Sequence, residues 1–118
     1  MKKEVKQLWL KALLSGEFKQ CKGYLEKDGR YCALGVLSLL AMLDGQCTYK
    51  KEERVGMYDN RKFTLSFNTR VWAGVKNFLE PEAGVLKIRY QGKDTSIQEL
   101  NDKGMSFRKL ARIIDECL

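Results

Sequence analysis

The sequence predicts an α+β fold, a single small domain with N- and C-terminal helices, a central buried helix and short antiparallel strands in hairpins. Apolar residues recur at helical spacing near both ends of the chain, which is typical of amphipathic helices. The segment 33–43 is apolar at almost every position, as in a helix with no solvent-facing side. Short runs of strand-forming residues around turn residues lie between these helices. The length of 118 residues suits one domain over residues 1–118.

The first helix is predicted over residues 4–14. Val5, Trp9 and Leu13 share one of its faces, and Gly16 follows as a left-handed stop. We expect Trp9 to anchor this helix in the core.

A hairpin and a buried helix should come next. Gly23–Leu25 and Arg30–Cys32 flank residues 27–29, a Lys-Asp-Gly sequence that can supply positive φ between two short strands. Residues 34–43 are apolar on too many faces for a surface helix, and the Asp-Gly pair 44–45 ends them. We therefore expect a hairpin followed by a central buried helix.

Residues 46–62 are predicted to form a long mobile loop, because they are charged and contain few apolar positions. Their cations could steer a phosphorylated ligand or neutralise a nucleic-acid backbone: Lys50, Lys51, Arg54, Arg61 and Lys62. Acidic residues interrupt or adjoin them: Asp44, Glu52, Glu53 and Asp59. This mixture favours a compact anionic ligand over a long nucleic acid.

The following segment should contain a strand and a short helix. Phe63, Leu65 and Phe67 alternate with polar residues, as in a strand. Asn68 or Thr69 can cap the helix that follows.

The last third of the chain should contain a strand, a turn and two helices. Val85–Tyr90 form the predicted strand, and Ser96 stands three positions before Glu99, as in a capping box. Ser106 can cap the final helix. The residues of this helix predicted to face inward are Phe107, Leu110, Ala111, Ile114 and Cys117.

The chain contains no histidine, which excludes several kinds of catalytic site. Ser-His-Asp and Cys-His nucleophiles, imidazole general bases and zinc sites with a histidine ligand are all removed. Neither a P-loop nor a dinucleotide-binding glycine motif is present, and the carboxylates are scattered. We therefore expect a protein that is not an enzyme and that needs no metal and no cofactor.

The four cysteines form no C-x-x-C pair, so we expect reduced thiols and no zinc cluster. Cys32 and Cys117 have apolar neighbours and are predicted core residues, whereas Cys21 and Cys47 are predicted to be more exposed. The N-terminal segment has the pattern of neither a secretion signal nor a membrane span. These features predict a cytosolic protein.

Two groups of residues are candidates for binding an anionic ligand, which the net charge of +7 favours. Arg108 and Arg112 are four positions apart on the final helix, a spacing that suits two neighbouring phosphates or a pyrophosphate. The alternative for this pair is a solvated helical face.

The second group lies in segment 67–72. Phe67, Asn68, Arg70 and Trp72 could together stack on a base, bond its edge and contact a phosphate. The alternative for this group is a set of core aromatic residues with an asparagine cap.

Five stretches of the sequence resemble a family of small proteins encoded by tailed phages and prophages. They are Trp9-x-x-Ala12-Leu13-x-Ser15-Gly16, Gln20-x-x-Gly23-x-Leu25, Tyr31-Cys32-Ala33-Leu34-Gly35-Val36-Leu37, Trp72-Ala73-Gly74 and Leu100-Asn101-Asp102-x-Gly104-x-Ser106-Phe107. Within that group, the size, the basicity and the C-terminal arginine helix are similar to those of the Thoeris anti-defence 1 proteins. Ala33 departs from the pattern, because many phage relatives carry a second cysteine there.

The resemblance implies a sponge in the cytoplasm of the bacterial host, which binds a cyclic ADP-ribose isomer or a related cyclic nucleotide without cleaving it. We expect arginines to bind phosphate, aromatic rings to stack on the base, and amide or carboxylate groups to bond ribose. The ligand-binding residues predicted in this way are Arg108, Arg112, Phe67, Asn68, Arg70, Trp72, Phe107 and Asp102. A small domain rarely encloses a nucleotide alone, so we expect a homo-oligomer with each pocket at a subunit contact.

Three other functions remain open at this point. The chain could be a phage inhibitor that acts by protein contact, like an anti-CRISPR that docks on a nuclease or its guide RNA. It could be a small nucleic-acid-binding accessory protein, whose affinity would fall steeply with salt. It could also be an enzyme that destroys the signal.

Overall fold

Five α-helices and two antiparallel sheets make up the structure, a computed structural model that describes all 118 residues. The elements are α1 (Lys3–Leu14), β1 (Glu26–Lys27), β2 (Arg30–Tyr31), α2 (Ala33–Leu43), β3 (Tyr49–Glu52), β4 (Val55–Tyr58), α3 (Phe67–Ala73), a 3-10 helix (Pro81–Val85), β5 (Lys87–Tyr90), β6 (Lys93–Ser96), α4 (Ile97–Asp102) and α5 (Phe107–Cys117). The predicted α+β fold is confirmed.

The larger sheet has four strands in the order β2-β1-β4-β3, all antiparallel. Glu26 of β1 lies opposite Tyr31 on one side and Gly56 on the other. Tyr49 and Tyr58 pair across β3 and β4. The smaller sheet is the hairpin β5–β6.

The terminal helices α1 and α5 pack on each other and on the core. Val5, Trp9 and Leu13 form the buried face of α1, as their spacing predicts. The indole of Trp9 is fully buried, and its Nε1 donates a hydrogen bond to the carbonyl oxygen of Ala33 at 2.9 Å. The start of α1 lies beside the end of α5, where Lys6 pairs with Asp115 at 3.7 Å. Trp9 therefore anchors α1 in the core, as predicted.

The central helix α2 is the most buried element, which confirms its prediction. Its residues Ala33 to Ser38 are all buried, so no side of its first half faces solvent. A Cβ atom at Gly35 would lie only 1.7 Å from the carbonyl oxygen of Leu25. The absence of a side chain at Gly35 lets the segment before β1 pass directly against the helix.

The prediction of a long mobile loop over residues 46–62 is wrong, because β3 and β4 form a hairpin there. Lys50, Lys51 and Glu52 lie on the exposed edge strand β3, whereas Gly56, Met57 and Tyr58 of β4 are buried. The density of charge along β3 therefore concealed a short buried strand beside it.

The predicted strand at Phe63, Leu65 and Phe67 is also wrong. Phe67 is the first residue of α3, and the helix is capped by Ser66, whose hydroxyl accepts from the backbone N–H of Thr69 at 3.2 Å. The backbone N–H of Leu65 donates instead to Gly84 at 2.9 Å. Tertiary partners thus replace the pairing that the alternation predicted.

The other predicted elements are present, with shifted ends. The hairpin predicted over residues 23–32 has shorter strands, β1 and β2. Ser96 caps α4 and Ser106 caps α5, each by accepting from a backbone N–H three residues later. The predicted strand over Val85–Tyr90 is β5, which begins only at Lys87.

All four cysteines are free thiols. Cys32 is buried, as predicted, but Cys117 is exposed in the last turn of α5, so its prediction as a core residue is wrong. Cys21 and Cys47 are half-buried. No helix of the protein combines the length and the apolar character that crossing a bilayer requires.

Candidate functional site

A concave surface on one face of the four-stranded sheet combines aromatic and cationic side chains. It is open to solvent, has a volume of about 710 Å³ and is lined by Tyr24, Lys27, Glu52, Glu53, Arg54, Val55, Lys62 and Phe63. We call these eight residues the sheet pocket. Aromatic rings and cations lie together on this surface.

The pairing of the strands builds the floor of the sheet pocket. Lys27 and Glu52 both lie directly opposite Val55, one on each side of it, so the three side chains share a face of the sheet. The backbone N–H of Leu25 donates to the carbonyl oxygen of Lys62 at 2.8 Å. This bond places Lys62 and Phe63 beside the start of β1.

Two aromatic rings form one wall. The centroids of Tyr24 and Phe63 lie 5.3 Å apart, with 43° between the ring planes. Lys27 Nζ lies 4.8 Å from the centroid of the Tyr24 ring, in a cation–π contact. Phe63 is 49% exposed, so much of its ring surface is available to stack on a flat ligand.

The cations of the sheet pocket differ in their pairing. Arg54 Nε lies 3.0 Å from Asp28 Oδ1, and is therefore already compensated. Lys27 and Lys62 form no ion pair, and these two ammonium groups are free to accept an anion. The pocket thus offers two ammonium groups without ion-pair partners beside two rings, and the unpaired carboxylate of Glu53 leaves its lining with a small net positive charge.

Glu52 stays ionised at the rim of the sheet pocket. Lys50 Nζ lies 2.6 Å from Glu52 Oε1. The hydrogen bond from Lys50 lowers the pKa of the Glu52 carboxyl. A carboxylate at this rim can accept hydrogen bonds from hydroxyl or amino groups of a ligand.

The opposite face of the sheet is held by a buried carboxylate. Glu26 is 3% exposed and accepts hydrogen bonds from the hydroxyls of Tyr58 at 2.7 Å and Tyr49 at 2.8 Å. A Cβ at Gly56 would lie 2.5 Å from Glu26 Oε1, so this glycine leaves the space that the carboxylate fills. These bonds join β1, β3 and β4 and support the floor of the sheet pocket from behind.

Several residues of the phage-like motifs form one structural hydrogen-bond group. Asn101 is 1% exposed, and its Oδ1 accepts from Gln20 Nε2 at 2.8 Å and from the backbone N–H of Ala33 at 3.1 Å. Its Nδ2 donates to the carbonyl oxygen of Cys21 at 2.9 Å. Asp102 Oδ1 accepts from the backbone N–H of Gly23 at 3.0 Å. Asp102, a predicted ligand residue, therefore anchors the loop that leads to β1.

The predicted binding residues of α3 occupy different environments. Phe67 and Asn68 are exposed, and Asn68 Nδ2 donates to Asp59 Oδ2 at 3.2 Å. Arg70 is buried and donates to backbone carbonyl oxygens. Burial lowers the pKa of the Arg70 guanidinium, and nearby Arg61 adds to this effect. Trp72 is partly buried against the core.

The predicted binding residues of α5 lie on another part of the fold. Arg108 and Arg112 are exposed and form no ion pair, whereas Phe107 belongs to the core. α5 packs mainly on α1, α4 and β5, whereas α3 packs mainly on α2 and the 3-10 helix. The structure joins Phe67 with Arg70, and it places the two arginines of α5 on a separate surface.

Sequence reasoning identified Lys62 and Arg54 as cations but did not connect them with Tyr24, Lys27 or Phe63. The connection depends on the bond between Leu25 and Lys62, which joins segments distant in the chain. A weak signal was present, because the charged segment ends next to an exposed aromatic residue.

The sheet pocket contains groups that can bind a ligand. No cluster of cysteine, aspartate and glutamate side chains is arranged to hold a metal ion. Burial raises the pKa of the Cys32 thiol to about 12, so this thiol is protonated and a weak nucleophile at neutral pH. In the sheet pocket, rings and ammonium groups can hold an aromatic anion by stacking and charge.

The comparison with protein families gives one match. A family model described as "Domain of unknown function (DUF8296)" matches residues 1–118. Neither the curated proteins nor the solved structures contain a match to this chain.

Proposed function

The chain belongs to the DUF8296 family over its whole length, and we propose that it binds a small phosphorylated nucleotide in the sheet pocket and holds it unchanged. One observation carries the proposal: the ammonium groups of Lys27 and Lys62, neither of them in an ion pair, line the same concave surface as the rings of Tyr24 and Phe63. A base stacked on Phe63 would leave its phosphate within the field of the two lysines.

The resemblance to phage anti-defence proteins extends this proposal to a biological role. The ligand would be a cyclic ADP-ribose isomer or a related cyclic nucleotide made as an immune signal, and the protein would sequester it in the cytoplasm of the bacterial host. Such a ligand carries adenine, a pyrophosphate and ribose hydroxyls. The adenine could stack on the rings, the pyrophosphate could bind the two lysines, and the ribose hydroxyls could donate to the carboxylate of Glu52 at the rim.

The energy that an effective sponge needs favours a second copy of the chain. Nanomolar affinity requires about 12 kcal/mol. Stacking on one ring contributes about 1–3 kcal/mol, and each hydrogen bond to a charged group contributes about 1.5–3 kcal/mol. An open pocket therefore falls short, and a symmetric partner that covers the bound nucleotide would supply the difference.

Retention of a nucleotide tests the proposal directly. Purified protein is mixed with cyclic ADP-ribose isomers, freed of unbound ligand and heat-denatured, and the released nucleotide is identified by mass spectrometry. Intact nucleotide supports sequestration. A cleaved product would make the protein an enzyme, and no retention would contradict nucleotide binding.

Substitutions locate the site. Phe63→Ala should weaken nucleotide binding about 5- to 100-fold, because it removes the stacking surface. Lys62→Ala should also weaken binding, by about tenfold or more, because it removes a charged donor. Both side chains are exposed, so the fold should be unaffected. Titration calorimetry measures the affinities, and circular dichroism checks the fold.

Matched variants distinguish the sheet pocket from the residues predicted on α3 and α5. Phe67→Ala removes an exposed aromatic ring, as Phe63→Ala does, and Arg112→Ala removes an exposed cation, as Lys62→Ala does. Both should bind nucleotide like the unmodified protein. Loss of binding in these two variants, with normal binding in Phe63→Ala and Lys62→Ala, would move the site to the α3 and α5 residues.

Sedimentation tests the second copy. The net charge of +7 opposes association of free chains, and an anionic ligand lowers that repulsion. We expect the sedimentation coefficient to rise when the nucleotide is added. A protein that stays monomeric at saturating nucleotide would refute the shared pocket.

A further inference from the structure

Four apolar side chains are exposed together on α3 and the segment after it. Phe67 and Val71 are one turn apart on α3, and each is 43% exposed. The ring centroids of Phe67 and Phe78 lie 5.8 Å apart. Leu79 follows Phe78 and is 76% exposed. We call Phe67, Val71, Phe78 and Leu79 the α3 patch.

The exposed area of the α3 patch is similar to the apolar part of one side of a standard protein interface. From these exposures the four side chains present roughly 400 Å² of surface, within the range of the largest patches on monomers, which are often functional. A standard interface buries about 800 Å² on each partner. A little more than half of that area, about 450 Å², is apolar.

A buried cation lies beneath the α3 patch. Arg70 Nε donates to the carbonyl oxygen of Phe78 at 3.0 Å, and Nη1 donates to that of Leu65 at 2.8 Å. The guanidinium carbon is 5.8 Å from the centroid of the Phe67 ring. Arg70 has no carboxylate partner, so its charge is not cancelled locally.

A second uncompensated cation borders the patch. Arg61 is exposed and forms no ion pair. The turn that carries it is joined to α3 by the bond between Asn68 and Asp59. The carboxylate of Asp59 also accepts from the backbone N–H and the hydroxyl of Thr48 and remains negatively charged, so this border has two cations, Arg61 and Arg70, against one carboxylate.

On the other side of the patch the charges balance. Lys76 and Glu80 both line a neighbouring cavity of about 300 Å³ and carry opposite charges. The surroundings of the α3 patch are therefore positive at the Arg61 and Arg70 side and close to neutral elsewhere.

Charge decides between the possible occupants of this surface. A second copy of the chain would bring another +7 to an already positive border, which opposes self-association. An acidic partner would be attracted to it. Phenylalanine and arginine are also enriched where proteins contact one another, and lysine and glutamate are depleted there.

We propose that the α3 patch is a docking surface for an acidic amphipathic helix of another protein. Apolar side chains of that helix pack on Phe67 and Leu79, and its carboxylates face Arg61. This is the helix-on-apolar-surface mode of recognition, with anchors repeating every three or four residues. None of the four patch residues lines the sheet pocket, so the proposal does not depend on nucleotide binding.

Two synthetic peptides with the same apolar positions test the proposal. One carries leucine at helical i, i+3, i+4 and i+7 positions with glutamate elsewhere, and its twin has lysine in place of every glutamate. The full-length protein labelled with ¹⁵N is titrated with each. We expect the acidic peptide to shift the amide resonances of residues 67–71 and 78–79, and the lysine twin to leave them unchanged.

Variants of the patch establish which side chains act. Leu79→Ser should weaken binding of the acidic peptide about tenfold or more, because burial of one leucine contributes about 1.5–3 kcal/mol. Leu14→Ser is the matched control, since Leu14 is an exposed leucine of α1. Arg61→Glu should weaken binding, and Lys109→Glu on α5 should change it little.

Three results would overturn the proposal. The acidic peptide fails to bind, or the lysine twin binds equally well, or Leu14→Ser and Lys109→Glu weaken binding as much as the patch variants. Sedimentation of the protein without nucleotide or peptide can give a fourth contradicting result. If the free protein dimerises and Leu79→Ser abolishes the dimer, the occupant of the patch is a second copy of this chain.

Discussion

At the residue scale, the side chain of Asn101 joins α4, on which it lies, to the start of α2 and to the loop before β1. Its side-chain oxygen accepts from the first turn of α2, and its side-chain nitrogen donates to the loop before β1. The amide is buried, so its partners have no access to water in its absence. This single side chain therefore holds the start of the central helix against the loop at Cys21.

We expect Asn101→Ala to destabilise the protein by about 2–4 kcal/mol, because it leaves buried groups such as the Ala33 N–H and the Cys21 carbonyl without partners. Urea unfolding followed by circular dichroism measures the change. Gln7→Ala, an exposed amide on α1, is the control and should alter stability by less than about 0.5 kcal/mol. An equal effect in both variants would contradict the role of Asn101.

Glu26 produces an alkaline dependence of stability. Burial, and then the hydrogen bond to Glu26, raise the pKa of Tyr58 and of Tyr49. Unfolded tyrosine loses its proton near pH 10, so above that pH the unfolded state binds fewer protons than the folded state. The two tyrosines should therefore add no pH dependence to the free energy of unfolding below about pH 10, and they should lower it as the pH rises further. For fully buried Tyr58 the slope is up to about 1.4 kcal/mol per pH unit.

Glu26→Gln tests this origin of the alkaline slope. The substitution removes the carboxylate charge, so the pKa of Tyr58 should move toward its ordinary value. The free energy of unfolding should then fall less steeply with pH between about pH 10 and about pH 11.5. Urea unfolding at a series of pH values gives the slope. Glu116→Gln at the exposed end of α5 is the control. A slope that is unchanged by Glu26→Gln would exclude the carboxylate as its cause.

At the scale of elements, the β3–β4 hairpin turns at two residues that are poorly suited to the turn. Glu53 and Arg54 have φ of 48° and 70°, and they connect the paired residues Glu52 and Val55. Two consecutive positive φ angles define the turn type that prefers asparagine followed by glycine. The hairpin therefore retains local strain that substitution can relieve.

The double variant Glu53→Asn, Arg54→Gly should stabilise the protein by about 1 kcal/mol, because both new residues adopt positive φ more readily. The midpoint of urea unfolding measures the gain. Asp28→Asn is the control for the lost Arg54–Asp28 pair, which is exposed and contributes about 0–1 kcal/mol. A lower midpoint in the double variant would show that Glu53 or Arg54 makes a stabilising contact that outweighs the strain.

The elements that sequence reasoning predicted correctly are those with local signals. Ser96 and Ser106 begin helices through bonds to residues three positions later, and that spacing is visible in the sequence. The strand β4, Val55–Tyr58, was missed because the charged residues on both sides of it dominate the composition of segment 46–62. The cap of α3 was assigned to Asn68 or Thr69 because Ser66 lay inside an alternating pattern that resembled a strand.

At the scale of the whole molecule, the distribution of charge separates a compact ligand from a polymeric one. The net charge of +7 is dispersed over the molecule, including α1, the sheet pocket, the border of the α3 patch and α5. Only two cations of the sheet pocket are without ion-pair partners. A ligand held there meets few ammonium groups, whereas a long nucleic acid would need many.

We therefore expect a shallow dependence of nucleotide affinity on salt. With two cations engaged, a tenfold increase in salt should lower the affinity by less than about 30-fold. Titration calorimetry at several sodium chloride concentrations gives the slope. A slope that corresponds to six or more released ions, about the value for proteins that bind duplexes, would indicate a nucleic acid as the true ligand.

The α+β class followed from composition and periodicity, but the sheet pocket did not. Its residues meet because Lys27 pairs with Val55 and because Leu25 bonds to Lys62, and both contacts join segments far apart in the chain. The predicted site residues Phe67 and Arg70 are together, because they lie one turn apart on α3. The α5 arginines are elsewhere, since no spacing in the sequence reports which helices pack together.

The bond between Asn101 and Ala33 has a consequence for synthesis of the protein. The two residues are separated by 68 positions, yet Asn101 accepts from the first N–H of the central helix. Until α4 has been synthesised, α2 lacks this partner, and the part of its surface that α4 contacts is not yet covered. The N-terminal portion thus remains incompletely folded until the segment that carries Asn101 has left the ribosome, and the nascent chain exposes apolar surface during that interval.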